Sequence, residues 1–135
     1  MPLDLVVSTS LDETQDIHTV NIQSIPDDMM GLDIGPKTIE AIDNLISLSR
    51  TILWNGPLGV FEIDAFSKGT CDIAKKLASS DAITIIGGGD SVAAVQKINQ
   101  ANYMNHISTG GGACLEYLEG KELPGIACIK EKETI

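Results

Sequence analysis

Short apolar runs alternate along the chain with stretches of helical spacing. "LDLVVS" (Leu3–Ser8) reads as a buried strand. "STSLDETQDIHTVNIQSIPDD" (Ser8–Asp28) is polar and irregular, with room for one short extended piece; Pro26-Asp27-Asp28 is a turn signal. "MGLDIG" (Met30–Gly35) is a second predicted strand. Pro36 suits the first turn of a helix whose face carries Ile39, Ile42, Leu45 and Ile46. "TILWNGP" (Thr51–Pro57) is a third strand, stopped by Gly and Pro. A loop, "LGVFEIDAF", leads to "SKGTCDIAKKLASS", where Ile73, Ala74, Leu77 and Ala78 share one side of a helix. "AITIIGG" is a fourth strand, followed by a helix over Ser91–Ala101 with Val92, Val95 and Ile98 inward. "HISTGGG" gives a fifth strand and loop, then a helix through Leu115 and Leu118 ended by Gly120. "GIACI" (Gly125–Ile129) reads as a last short strand and "KEKETI" as a solvated tail.

Unbroken apolar strands, each followed by a helix, predict an α/β fold. It is a parallel sheet flanked by helices on both faces, Rossmann-like and three-layered. Ligands of such open sheets sit at the carboxyl ends of the strands. Those ends read DIGP, NGPLG, GGGDS and STGGG, so four strands are expected to bring glycine to one rim. The two richest loops, Gly87–Ser91 and Gly110–Gly112, lie one βαβ repeat apart and should be neighbours. A glycine turn before a helix lets backbone N–H groups and the positive helix end approach an anion, typically phosphate. Such turns also serve plain chain reversal. Neither GxGxxG nor GxxxxGK[ST] is present, which disfavours a generic dinucleotide-binding redox domain and a Walker A site. Asp90 discriminates further. A carboxylate among phosphate-binding amides would repel the ligand unless it holds Mg²⁺ bridging phosphate oxygens. The plainer role is an N-cap for a helix starting at Ser91.

Charge and cysteine narrow the partners. A formal net charge of −10 excludes a nucleic-acid groove or an anionic membrane surface as the natural partner. No apolar run is long enough to span a bilayer, and no signal peptide pattern is present. Cys71, Cys114 and Cys128 have neither a disulfide nor a zinc spacing and read as small buried thiols in a reducing, cytoplasmic protein.

"WNGPLGVFE" (Trp54–Glu62), "GGGDSVAAV" (Gly87–Val95), "STGGGACLEYLEGKELPGI" (Ser108–Ile126) and "MGLDIGPKT" (Met30–Thr38) together resemble the phosphoglycerate kinase family, in order over nearly the whole chain. The part resembled is the distal portion of the C-terminal, nucleotide-binding domain, which makes residues 1–135 one partial domain. The resemblance implies phosphate transfer between 1,3-bisphosphoglycerate and ADP in glycolysis, with Mg²⁺ and ATP/ADP as the nucleotide. By motif, Glu62 would hydrogen-bond the ribose, Pro57 and Val60 would line the nucleoside pocket, and Asn55 would lie near the phosphates. Gly88, Gly89, Asp90 and Ser91 would form the phosphate and metal loop, with Asp90 as metal ligand. Gly110, Gly111 and Gly112 would face the transferring phosphoryl group through backbone N–H donors. Ser91 stands where many members have threonine, and keeps the hydroxyl.

No arginine or lysine lies in or beside a glycine loop in the sequence. Arg50 ends a helix, and Lys37 and Lys68 are the nearest cations. The resemblance accounts for this. It places acceptor-binding arginines and a histidine in an N-terminal domain, and phosphate-contacting lysines in an earlier part of the C-terminal domain. The chain is therefore expected to be a fragment, inactive alone, meeting 3-phosphoglycerate only through the absent domain. The full-length enzyme is expected to be monomeric, and the fragment to self-associate through its broken sheet. A non-catalytic nucleotide- or phosphate-binding α/β module is the alternative. Trp54 reads as core and His18 as unassigned. His106 reads as surface, Asp33 as a local hydrogen-bonding group, and Glu116, Glu119 and Glu122 as a solvated face.

Overall fold

A computed structural model describes residues 1–12, 16–108 and 110–129; the predicted tail lies outside them. The strands β1 (Asp4–Ser8), β2 (His18–Asn21) and β3 (Met30–Ile34) form one sheet in the order β2-β1-β3, antiparallel throughout. The strands β4 (Thr51–Asn55), β5 (Ile83–Gly87) and β6 (His106–Ser108) form a second sheet in the order β4-β5-β6, parallel throughout. The α/β class with a parallel sheet stands, but the parallel part holds three strands and not the first two predicted ones. Among the described residues the link from β1 to β2 contains no α-helix and is too short for the crossover that parallel pairing needs, so β2 turns back along β1; β3 also runs antiparallel to β1, on its other side, so that β2 and β3 point the same way. The DIGP end therefore belongs to a different sheet from NGPLG, GGGDS and STGGG.

The helices are α1 (Pro36–Leu48), α2 (Lys68–Ala78), α3 (Gly89–Lys97), α4 (Gly111–Leu118) and α5 (Pro124–Ala127). The last replaces the strand predicted at Gly125–Ile129. Pro124 sits at the start of α5, where its fixed φ and missing N–H suit a helix and not a ladder. Gly120 follows α4 with φ +79°, the left-handed residue predicted to end that helix. Along β4 and β5, Trp54 and Ile86 are register partners, buried on the face that meets Ile39 and Ile46 of α1, Ile73 and Leu77 of α2, and Val92 and Val95 of α3. Leu53 and Ile83, at alternate positions on those strands, are 38% and 55% exposed. The cysteines are free but less buried than their residue type suggests: Cys71 and Cys114 are half-buried and Cys128 is exposed.

Two buried carboxylates tie the antiparallel sheet to the helices. Asp4 of β1 accepts hydrogen bonds from the amides of Lys37 (3.1 Å) and Thr38 (2.8 Å) and from Thr38 Oγ1 (2.8 Å). It thereby caps α1, whose own N-cap, Gly35, has no side chain to offer. Burial pushes the Asp4 carboxyl up, but the Thr38 hydroxyl and the two amides together outweigh it and hold the group below its ordinary value. A lowered folded pKa contributes stability above the unfolded pKa of about 3.9 and loses it as pH falls through the folded value. Asp4→Asn is therefore expected to cost about 1–2 kcal/mol at pH 7. Urea unfolding of the two proteins should show that difference shrinking below about pH 4.

Candidate functional site

Three strand ends of the parallel sheet meet. Asn55 at the end of β4 pairs in register with Gly87 at the end of β5, which pairs in turn with Ser108 at the end of β6. Gly88 follows with φ +88° and ψ 139°, a conformation that side chains resist. A Cβ on Gly111 would lie 2.7 Å from Gly88 Cα and 3.0 Å from its nitrogen, so the two glycine loops touch, as their spacing predicted. Asn55 seams them: its Nδ2 donates to the Gly111 carbonyl at 3.4 Å, and its Oδ1 lies 2.8 Å from where a Cβ on Gly88 would be. The Gly56 amide donates to the buried Ser91 hydroxyl at 2.6 Å, locking the β4 loop to α3. Trp54 is core, and its indole N–H donates to the Gly56 carbonyl at 2.5 Å.

Gly89, Asp90, Gly110 and Gly112 are exposed on this surface, and Gly111 is partly so. Helix α3 starts at Gly89, with Gly88 as its N-cap and no side-chain cap. Asp90 is therefore not the N-cap predicted for a helix beginning at Ser91. It lies inside the first turn with its carboxylate in solvent, beside the positive helix end. Among the described residues no three His, Cys, Asp or Glu side chains gather to cage a metal. One exposed carboxylate fits Mg²⁺ all the same, because that ion is commonly held by one or two carboxylates together with substrate phosphates.

From Gly56 the chain runs into a cavity of about 240 Å³. Pro57, Leu58, Gly59 and Val60 line one side and Gly31, Leu32 and Asp33 of β3 the other. The Val60 amide donates to the Leu32 carbonyl at 2.9 Å, holding the two walls together. The volume is below the roughly 300–1,000 Å³ that encloses a drug-sized ligand, so it has room for only part of one. Gly31 and Leu32 had no role by sequence reasoning. Only their place in "MGLDIGPKT" signalled them, and the bond from the Val60 amide to the Leu32 carbonyl is what sets them opposite Val60.

Asp33 is buried beneath this cavity and accepts from the amides of Gly69 (2.7 Å) and Ile34 (2.8 Å). Burial pushes its carboxyl above the ordinary range despite those two bonds. Glu62 is exposed, just past the cavity wall. The sequence reading passed over Lys97 in α3, whose Nζ reaches the Phe61 and Glu62 carbonyls and Asp64. Lys68 pairs with Asp72 at 3.1 Å on its own helix, and His18, His106, Lys37 and Arg50 are exposed. No helix of the described residues is long and apolar enough to cross a membrane.

The family model described as Phosphoglycerate kinase matches residues 1–121. The chain is 53% identical over 135 residues to the phosphoglycerate kinase of Rubrobacter xylanophilus, covering all of this chain and 34% of that protein. Against the structure of phosphoglycerate kinase from Coxiella burnetii the TM-score is 0.88 at 44% identity, covering 94% of this chain and 33% of that one. The crystal structure of the Pyrococcus horikoshii enzyme gives a TM-score of 0.79 at 35% identity, with 94% and 31% covered. The chain thus spans about a third of the length of the relatives it matches, and with most of its residues matched by the family model it belongs to the phosphoglycerate kinase family.

Proposed function

We propose that this chain supplies the nucleotide side of phosphoryl transfer between 1,3-bisphosphoglycerate and ADP. The observation that carries this reading is continuity. Pro57, which lines the cavity with Val60, follows Gly56 in the chain; Gly56 is bonded to Ser91, and the two touching glycine loops stand at the N-termini of α3 and α4. The base would enter the cavity, Glu62 would take the ribose hydroxyls, and Asn55 would lie beside the phosphates. The amides of Gly88 and Gly89 would receive the phosphate chain, and those of Gly110, Gly111 and Gly112 the transferring phosphoryl group. Asp90 would hold Mg²⁺, which supplies charge neutralisation across the phosphate oxygens. Ser91 would act largely through its bond to Gly56, fixing the loop that carries Asn55. Phosphoryl transfer asks a protein mainly for such positioning and electrostatics.

Among the described residues, Lys68, Lys76 and Lys121 each sit against a carboxylate, and Lys97 against Asp64 and the Phe61 and Glu62 carbonyls, so these contacts turn none of the four toward the glycine loops. This favours, as a second reading, binding without transfer by these residues alone. The acceptor, 3-phosphoglycerate or its bisphosphate, would then be held by regions of the family that this chain does not match. An NMR titration with Mg-ADP tests the first reading. Amides of Gly87–Ser91 and Gly110–Gly112 should shift together, and Asp90→Asn should weaken Mg-ADP about tenfold while leaving metal-free ADP nearly unchanged. Shifts confined to other surfaces, or an Asp90→Asn variant indifferent to Mg²⁺, would refute it. Turnover of 1,3-bisphosphoglycerate by the chain itself would refute the second.

A further inference from the structure

We infer that Lys97 is a positioning residue for nucleotide recognition, holding Glu62 at a fixed distance from the phosphate loop; this rests on the reading of the site given above. Lys97 stands in the last turn of α3, at the far end from Gly89, Asp90 and Ser91. Its ammonium donates to the carbonyls of Phe61 (3.0 Å) and Glu62 (3.4 Å) and to Asp64 Oδ1 (3.2 Å). Three donors on one compact cation meet three acceptors within four consecutive residues.

Within the loop that carries Glu62 the Phe61 amide donates to the Gly59 carbonyl (2.9 Å) and the Ile63 amide to the Val60 carbonyl (3.0 Å), bonds that shape the turn but do not tie it to α3. Val60 is tied to Leu32 and the Phe61 ring is buried, whereas the Glu62 side chain is free in solvent. The ion pair with Asp64 adds little, because Asp64 is 85% exposed. The charge-assisted bonds to the two carbonyls are the stronger restraint, and they act on the backbone that aims Glu62. Helix α3 becomes a strut of roughly 13 Å. One end presents the glycine loop for phosphate; the other, through Lys97, sets where the ribose-reading carboxylate stands. Removing the ammonium should therefore affect the sugar and leave the phosphates alone, a pattern that general loosening of the fold would not give.

The test is a set of titrations of the chain with Mg-ADP, Mg-2′,3′-dideoxy-ADP and Mg-pyrophosphate, with a thermal melt of each variant. The wild type should prefer ADP to the dideoxy analogue. Lys97→Met should weaken ADP about five- to tenfold, collapse that preference, and leave pyrophosphate within about twofold. Lys97→Gln should do the same and stands in if Lys97→Met fails to fold. Lys97→Arg should keep most of the preference, and Asp64→Asn all of it. The inference is overturned if the neutral variants keep the wild-type preference, if pyrophosphate weakens in step with ADP, or if Asp64→Asn matches Lys97→Met. A wild type that binds ADP and its dideoxy analogue equally would overturn the role of Glu62. A wild type that responds to none of the three would overturn the site itself.

Discussion

Alanine at position 88 should lower the stability of the chain by about 2–4 kcal/mol and abolish its response to Mg-ADP. The backbone there has φ +88° and ψ 139°, which strains any side chain by roughly 1–3 kcal/mol. The new Cβ would also lie 2.8 Å from Asn55 Oδ1. Asn55 would have to swing away, losing its bond to the Gly111 carbonyl and the seam between the two glycine loops; that adds about 1 kcal/mol. A fall of roughly 10 °C in Tm follows for a chain of this size. Gly89→Ala is the control. Nothing lies within 4 Å of a Cβ there, and the residue is helical, so alanine should be neutral or stabilising by up to about 1 kcal/mol. Its Cβ would nonetheless stand on the exposed surface where phosphate is proposed to sit. A Gly89→Ala protein that melts normally and binds Mg-ADP poorly would separate the ligand's need for glycine from the fold's. Equal melts for Gly88→Ala and wild type would show that the strained turn is not required.

Much of this was legible because the signals were local. β4 and β5 announced themselves by apolar runs, β6 only by its place before the second glycine loop, and the glycine loops by their place between strand and helix. Their contact followed from repeat spacing. What the sequence withheld is held across long separations. β2 folds back on β1 because their link is too short for a crossover helix, and the apolar content of Leu3–Ser8 does not show that β3 pairs antiparallel on the other side. The wall formed by Gly31 and Leu32 meets Val60 through a backbone bond from a distant part of the chain. Lys97 looked like an ordinary surface lysine in a helix, because its acceptors are backbone carbonyls some 35 positions away. The start of α3 was misplaced because glycine is a poor helix former, and only the bond from Val92 N–H to the Gly88 carbonyl shows where the helix begins. Asp33 was rightly taken as a hydrogen-bonding group, but one of its partners, Gly69, lies on α2, beyond α1 and β4 in the chain.

That partnership makes Asp33→Ala the other large effect. The carboxylate of Asp33 sits at the N-terminus of α2, whose own N-cap residue, Ser67, makes no capping bond. Removing it leaves the Gly69 and Ile34 amides facing a void. Each buried N–H without a partner costs about 1–3 kcal/mol, and the favourable placement of negative charge at a helix start is lost as well. Relief of a desolvated charge offsets part of this, and a net loss of about 2–3 kcal/mol is expected. Gly59 and Gly69 both lie against the carboxylate with no room for a Cβ, so the packing is built around it. The pH dependence gives the prediction its sign. A raised folded pKa means that the native state takes up its proton first, so Asp33 contributes more stability as pH falls from the raised value towards about 3.9. The margin of wild type over Asp33→Ala should therefore widen on acidification through that window, while the margin over Asp4→Asn narrows below it. Urea unfolding across pH 3–7 would show the two margins moving in opposite directions, and parallel margins would mean that burial does not govern the Asp33 carboxyl. Because Asp33 also forms part of the cavity floor opposite Val60, the variant should weaken Mg-ADP and leave Mg-pyrophosphate largely unaffected.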